Sequence, residues 1–485
     1  MEDGRSGRQS MKILKRIITL AALALLAACG GGGGGGSTPA AGTNAGTNAG
    51  TNTGTTTGNG VTAPVAQSPA ALANICTPEG EKRWVRAHLD DVYLWYKDIV
   101  DVPPASYATA PDYFYALLVR SRDRFSYTEK QSVVDEYFAS GEELGYGMAY
   151  TVASNRLRVT YVEPGTPAAA NGIRRGTEIT ALDGQALSQM SREAYLRVLF
   201  PSTDGASHRF TVIDPGSTAP RTVQLAATAV VRKPVLQSSV IPVPGNRRVG
   251  YLVFNTHIAT AEAQLVDAFR QFQQAGVHDL VLDLRYNGGG YLYIAAEVAA
   301  MIGGDNLLGQ TFAQLRFNDK HPDKTNHPRN NIPFFTTDTE DRLLPQLKLP
   351  RVFVLTTRST CSASETIING LSPFVKVVTI GAATCGKPYG MHQTNNCGQA
   401  YMAIDFETVN GRGEGGYANG IPPTCPVPDD LERQLGDPAE RMLSAAISYG
   451  ATGTCPAVAI TQSRPAGTPL PALPNLPWRD NMLRK

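Results

Sequence analysis

Four apolar runs, residues 248–254, 279–284, 351–355 and 375–380, recur between stretches of helical periodicity at 261–275, 294–302 and from about 362 onward. Runs this predominantly apolar, without strict polar alternation, have little polar face to give to water, so both faces must be covered. A strand–helix–strand repeat supplies the cover. The pattern therefore predicts a mostly parallel sheet, buried on both sides, in an α/β core over residues 233–450. Upstream, Trp84, Val85, His88, Leu89, Val92, Leu94 and Trp95 fall at helical spacing within 79–100, and 113–118 is a second apolar helical stretch. These predict a small helical N-terminal domain over 71–138 whose aromatics serve packing. Residues 139–232 change to short alternating runs with one small helix, the pattern of a β-rich domain. Residues 312–349 are polar and contain proline, and are expected to form an insertion or lid. The Pro-rich tail at 451–485 shows no pattern. The expected fold class is multidomain α/β.

The N-terminus adds an address. Residues 11–29 read MKILKRIITLAALALLAAC, with Lys12, Lys15 and Arg16 ahead of an apolar run, 17–28, that is short for a bilayer span. Residues 1–28 are expected to be a secretory signal. Leu26-Ala27-Ala28-Cys29 resembles the lipobox of bacterial lipoproteins, which implies cleavage before Cys29, lipids on that cysteine and a low-complexity tether over 29–70. The expected location is the bacterial cell envelope, lipid-anchored and facing the periplasm. Five of the 44 basic residues and two of the 42 acidic ones lie in the first 28, which leaves 39 against 40. That balance offers no concentrated basic face, and nucleic acid is excluded as a partner. After Cys29 six cysteines remain, Cys76, Cys361, Cys385, Cys397, Cys425 and Cys455. An even number in an exported chain points to disulfides, with about 15 possible connectivities. A bridge between Cys361 and Cys385 and one between Cys385 and Cys397 are both open. No spacing is CxxC, and His321 and His327 sit in a polar stretch, so no metal and no cofactor is expected.

Two strand ends carry the chemistry. At the first, Leu282-Asp283-Leu284-Arg285-Tyr286-Asn287 runs into Gly288, Gly289 and Gly290 before a helix. Glycine backbone can turn its N–H groups toward a developing oxyanion, and the pattern matches neither GxGxxG nor the phosphate loop. At the second, Cys361-Ser362-Ala363-Ser364-Glu365 opens a helix, and Thr384-Cys385-Gly386-Lys387 follows the next strand. A serine at a strand-to-helix turn is exposed for attack, with the next residue's N–H available as an oxyanion donor, and Ser-x-x-Glu is also a capping box. A lysine can serve as its base once neutral. A thiol nucleophile at Cys361 is the competing idea.

Within 139–232 the loop Gly145-Tyr146-Gly147-Met148, the stretch 164–173 ahead of Gly176, and Leu182-Asp183-Gly184 resemble a PDZ domain. That resemblance implies capture of a peptide C-terminus by loop N–H groups while the peptide adds a strand. Thr177 stands where that family has Asp. Together the segments from about 80 to 450 resemble the C-terminal processing, or tail-specific, serine peptidase family with an inserted PDZ domain. The resemblance implies Ser362 as nucleophile, Lys387 as general base, and the N–H groups of Ala363 and Gly289, with Gly290 as neighbouring donor, as the oxyanion hole. It implies binding of substrate tails at Gly145, Tyr146, Gly147 and Met148, and protein or peptide C-termini as partners. One departure is Met391, where many members place a Gln four residues after the lysine; Gln393 lies two residues further on. Gly420-Ile421-Pro422-Pro423 is similar to the family's closing turn. The alternative from a different class is a non-catalytic, PDZ-containing binding or chaperone-like lipoprotein.

Overall fold

The computed structural model describes residues 67–457 together with 470, 473, 482 and 483. The leader, Cys29 and the tether up to residue 66 lie outside the described residues. A short helix, Pro69–Leu72, begins inside the range expected for the tether.

Three longer helices follow. α1 (Pro78–Val92) starts where Thr77 Oγ1 accepts the Gly80 N–H at 3.1 Å ahead of a proline in the first turn, and α2 (Ala110–Leu117) repeats the device with Thr109 and Pro111. α3 (Gln131–Ser140) stops at Gly141, whose φ of 76° is left-handed. Leu94 and Trp95, read as part of the first helix, fall beyond its end, and the Leu94 N–H instead donates to Ile404 O at 2.9 Å. The cause is a shared core: Trp84, Tyr93, Phe114 and Phe138 pack in one cluster with Met391, Tyr401, Met402 and Ile404 from far along the chain.

The β-rich unit is a five-strand antiparallel path in the order β1 (Met148–Ala153), β2 (Arg156–Val162), β3 (Glu178–Leu182), β4 (Ser207–Ile213) and β5 (Pro220–Ala226). Helix α4 (Arg192–Leu199) covers it with Tyr195, Val198 and Leu199, and β1 is an edge strand.

The expected core follows. β6 (Val235–Val243) and β7 (Arg247–Phe254) form a hairpin, and β7 then continues in parallel through β8 (Asp279–Asp283), β10 (Arg351–Thr356), β11 (Lys376–Gly381) and the short β15 (Cys425–Pro426). Alternation within the strands divides the core. Leu252, Phe254, Leu280, Leu282, Val352 and Val354 face α5 (Ala261–Ala275), α6 (Leu292–Gly303) and α7 (Ala363–Leu371). Tyr251, Val253, Val281, Phe353 and Leu355 face α8 (Arg441–Thr452).

A second sheet corrects two expectations. Its strands are β9 (Thr311–Phe317), β12 (Tyr389–Met391), β14 (Ile404–Val409) and β16 (Met482–Leu483), with two shorter pieces, Gly290–Tyr291 and Asn331–Pro333, at its ends. The start of the stretch read as an insertion or lid is therefore strand β9, with Phe312 and Leu315 in the core, and Phe334, Leu344 and Leu349 bury the rest of it. The tail read as patternless contributes β16, which lies between Gly290–Tyr291 and β12. β13 (Gln399–Met402) pairs instead with Tyr127–Lys130 of the N-terminal unit.

Candidate active site

Ser362 is the residue before α7, at φ 61° and ψ −116°, a region that non-glycine residues occupy at a cost of about 1–3 kcal/mol. It is fully buried, and its Oγ has no hydrogen-bond partner among the described residues. Ala363, as first residue of the helix, has an N–H for which helix geometry supplies no acceptor.

The group that fixes the site is Glu365. Its Oε2 accepts the Ser362 N–H at 2.8 Å, which is half of the capping box, and the Lys387 N–H, also at 2.8 Å. Its Oε1 accepts the Gly386 N–H at 2.8 Å and the Thr384 hydroxyl. One buried carboxylate thus holds the backbones of Ser362 and Lys387 within two hydrogen-bond lengths of each other. Burial pushes this carboxyl up, and the donors pull it back. The sequence shows only the local, capping half of this role. The long-range half has no signal in a pattern of neighbouring residues.

Lys387 is buried, with Nζ 5.1 Å from the centre of the Phe125 ring. Asp123 shapes the loop that presents Phe125, accepting the N–H groups of Phe125 and Ser126 at 2.9 and 2.8 Å. A covalent tie supplements Glu365: Cys361 and Cys385 form a disulfide across the two turns, and the other bridges are Cys76–Cys397 and Cys425–Cys455. Cys361 is therefore no free thiol. Cys361, Glu365 and Cys385 are close enough together to hold an ion, but the two sulfurs are spent on each other. Neither Met391 nor Gln393 orients the pair: Met391 is packed in the N-terminal core, and Gln393 bonds Asp135 and Asn395 at the surface. Residues Gly420 to Pro423 close onto the lysine turn, where the Ile421 N–H donates to Thr384 Oγ1 at 2.7 Å.

Asn287 ties the glycine loop to the serine turn. Its carbonyl accepts the Cys361 N–H at 3.0 Å and the Ser364 hydroxyl at 3.1 Å. Its Oδ1 takes the Gly289 N–H at 2.9 Å and the His257 Nδ1–H at 3.0 Å, so the Gly289 donor is engaged by Asn287. Burial pushes His257 down to about 3, and the ring stays neutral. Gly290, at φ 134°, can be nothing larger, because a Cβ there would sit 2.3 Å from His257 O. At the foot of the loop, Arg285 is buried among Asp283, Asp429 and Glu440. Arg175 of the β-rich unit also reaches Asp429 at 2.6 Å and the Tyr286 hydroxyl.

In the β-rich unit, Gly147 (φ 79°) lies against Thr166, 2.2 Å from where a Cβ would stand. Tyr146 is a core residue, its ring edge-on to Phe210 and its hydroxyl donating to Val198 O at 2.9 Å, while its carbonyl accepts the Ala168 N–H at 3.0 Å. Gly145 ends a strand paired with Thr228–Val231, and Met148 begins the edge strand β1. Thr177 is buried, with Oγ1 accepting the Arg174 N–H at 3.3 Å.

A serine on a strained helix entrance, a buried lysine held beside it and a glycine-rich loop bonded to the same turn define a hydrolase-like α/β site. The chain matches the peptidase family S41 model over residues 248–427 and the peptidase S41 N-terminal domain over 80–127, and so carries peptidase S41 domains over those residues. Among relatives, it is 26% identical over 277 residues to a carboxyl-terminal-processing protease of Picosynechococcus sp., covering 56% of this chain and 61% of that one. It is 28% identical over 292 residues to a chloroplastic C-terminal processing peptidase of Tetradesmus obliquus, covering 56% and 58%. The matches thus span roughly three fifths of the length of these curated relatives. Among solved structures, a Bacteroides fragilis protein assigned to the S41 proteases superimposes with a TM-score of 0.62 at 26% identity, covering 76% of this chain and 97% of that one.

Proposed function

We propose that this protein is a serine endopeptidase that hydrolyses peptide bonds in the C-terminal tails of protein substrates through an acyl-enzyme. The observation that carries the reading is the Glu365 carboxylate, which accepts from the backbones of Ser362 and Lys387 alike. Neutral Lys387 Nζ takes the Ser362 hydroxyl proton as Oγ adds to the scissile carbonyl. The oxyanion is met by the Ala363 N–H and a glycine-loop N–H, that of Gly289 once released from Asn287 or that of its neighbour Gly290 once released from its pairing with Met482. Collapse breaks the C–N bond, the lysine's proton passes to the leaving amine, and water, deprotonated by the same lysine, releases the acyl group. Burial disfavours the ammonium, whereas the Phe125 ring face favours it.

The β-rich unit, on its PDZ resemblance, captures the substrate tail at the Gly145 to Met148 loop and the edge strand β1. No metal or organic cofactor enters these steps. The leader and Cys29 support export and lipid anchoring in the bacterial envelope, facing the periplasm. Among the described residues no helix is long and apolar enough to cross a membrane.

The binding-only alternative draws on one observation, the unpartnered Ser362 Oγ. Incubating the full chain, Ser362→Ala and Lys387→Ala with an unstructured protein ending in an apolar C-terminus separates the two. Cleavage by the parent alone supports the dyad. Binding without cleavage by the parent supports the alternative. Activity is expected to fall in acid as Lys387 takes up a proton, and a flat profile from neutral to acid pH would count against it as base.

A further inference from the structure

A strand of the chain's own tail runs beside the glycine loop. β16 (Met482–Leu483) pairs in parallel with Gly290–Tyr291 on one side, Gly290 opposite Met482 and Tyr291 opposite Leu483. On the other side Leu483 pairs with Met391 of β12. One flank of this slot is thus the glycine loop, and the other begins two residues after Lys387. Strands hydrogen-bond at about 4.8 Å spacing, so two flanks joined through one intervening strand leave room for a single extended peptide. The opposite edge of Gly290–Tyr291 is closed, since the Tyr291 N–H donates to His257 O at 2.7 Å. A substrate passing the proposed dyad as an added strand has this slot to enter.

The same tail also engages the β-rich unit. Leu470 and Leu473 pack against that unit's core, and the Leu470 N–H donates to Asn155 Oδ1 at 2.6 Å, at the turn between β1 and β2.

We infer that the tail strand Met482–Leu483 is an intramolecular competitor, filling the substrate-strand slot between Gly290–Tyr291 and β12, while Leu470 and Leu473 rest on the peptide-capture unit. This rests on the proposed peptidase reading of the site. A tethered segment acts at an effective concentration near millimolar, so even one of weak intrinsic affinity (about 100 μM) lowers apparent substrate affinity about tenfold. Opening requires an incoming peptide to displace it, or another event to draw the tail away.

The test uses the full chain carrying Leu483→Pro, because proline lacks the N–H and the freedom to serve in an interior strand. A second variant deletes 458–485. In a Ser362→Ala background, a fluorescent peptide with a free apolar C-terminus is titrated by anisotropy, and amide exchange is followed in segments 288–293 and 389–393. The expected result is about tenfold tighter binding in both variants, with faster exchange in both segments for the peptide-free protein. With Ser362 intact, KM falls by a similar factor at unchanged kcat. Unchanged affinity and exchange in both variants would overturn the inference. If no form cleaves peptide, the peptidase reading fails, while the binding and exchange measurements still decide whether the tail fills the slot.

Discussion

Replacing Glu365 by glutamine changes one atom and leaves the side chain's size alone, yet the carboxylate faces only donors: three backbone N–H groups and the Thr384 hydroxyl. The amide has two orientations. With its oxygen at the Oε1 position, its NH2 confronts both the Ser362 and Lys387 N–H groups. With its oxygen at Oε2, those two bonds survive in neutral form, the Thr384 oxygen can turn to accept, and only the Gly386 N–H faces a donor. The second is the cheaper. It costs about 1–3 kcal/mol for the stranded N–H and about 1 kcal/mol for each of two bonds that lose charge assistance. A total of about 3–5 kcal/mol, expressed in the relative placement of Ser362 and Lys387, is a loss of at least roughly 100-fold in kcat/KM. Initial rates on a quenched fluorescent peptide, with a melting curve to establish folding, make the assay. Glu365→Ala strands all four donors and is expected to fall below the glutamine variant. A glutamine variant within threefold of the parent, with unchanged melting, would refute the claim that this carboxylate sets the site.

Removing the bridge across the two turns with Cys361→Ala/Cys385→Ala, whose cysteines are separated by 24 residues, should cost about 3 kcal/mol and lower the melting temperature; mild reductant should depress activity in parallel. Phe125→Leu removes the ring face that favours a charged Lys387, so the acid limb of the activity profile should move down by about half to one pH unit; a move upward would show that the ring does not act this way. Glu297 on α6 is buried beside Glu262, and burial pushes it up to about 9, with the Glu262 charge adding to the effect. Its folded value lies above its unfolded one, so its contribution to stability is complete below about pH 4.5 and is lost as pH rises through 9. Glu297→Gln, which stays neutral and can still donate to Glu262, should therefore melt increasingly above the parent between pH 5 and 9, and parallel melting curves would contradict the assignment.

What was legible in the sequence was what local pattern determines. Strands β8 and β10 are buried on both faces, so Leu280–Leu282 and Val352–Leu355 are apolar without a break, and Gly290 after Asn287 marks a backbone that a side chain would obstruct. Ser362 and Lys387 are singled out by resemblance to a motif, and Glu365 holds the backbones of both turns. The failures share a cause. β9 carries buried Phe312, Ala313 and Leu315 without a strict alternation, and its sequence reads as part of an insertion or lid because its strand partner β14 lies almost a hundred residues away. The N-terminal unit was read as self-contained, although Tyr401 and Ile404 complete its core. The disulfide pairing could not be chosen from spacing, since Cys76 and Cys397 are 321 residues apart in sequence and are neighbours only in the tertiary structure. Glu365 carried a correct but partial meaning as a helix cap, because its bond to Lys387 bridges 22 residues.

The central claim is that Ser362 is a nucleophile activated by Lys387. Intact-mass and peptide mapping of the full chain after a fluorophosphonate probe tests it most directly, with rates taken from pH 5 to 9 for the parent and for Lys387→Ala. The account predicts a single adduct on Ser362, formed faster as pH rises and lost in the lysine variant. Peptide cleavage with no adduct at Ser362, or labelling equally fast without Lys387, would contradict it.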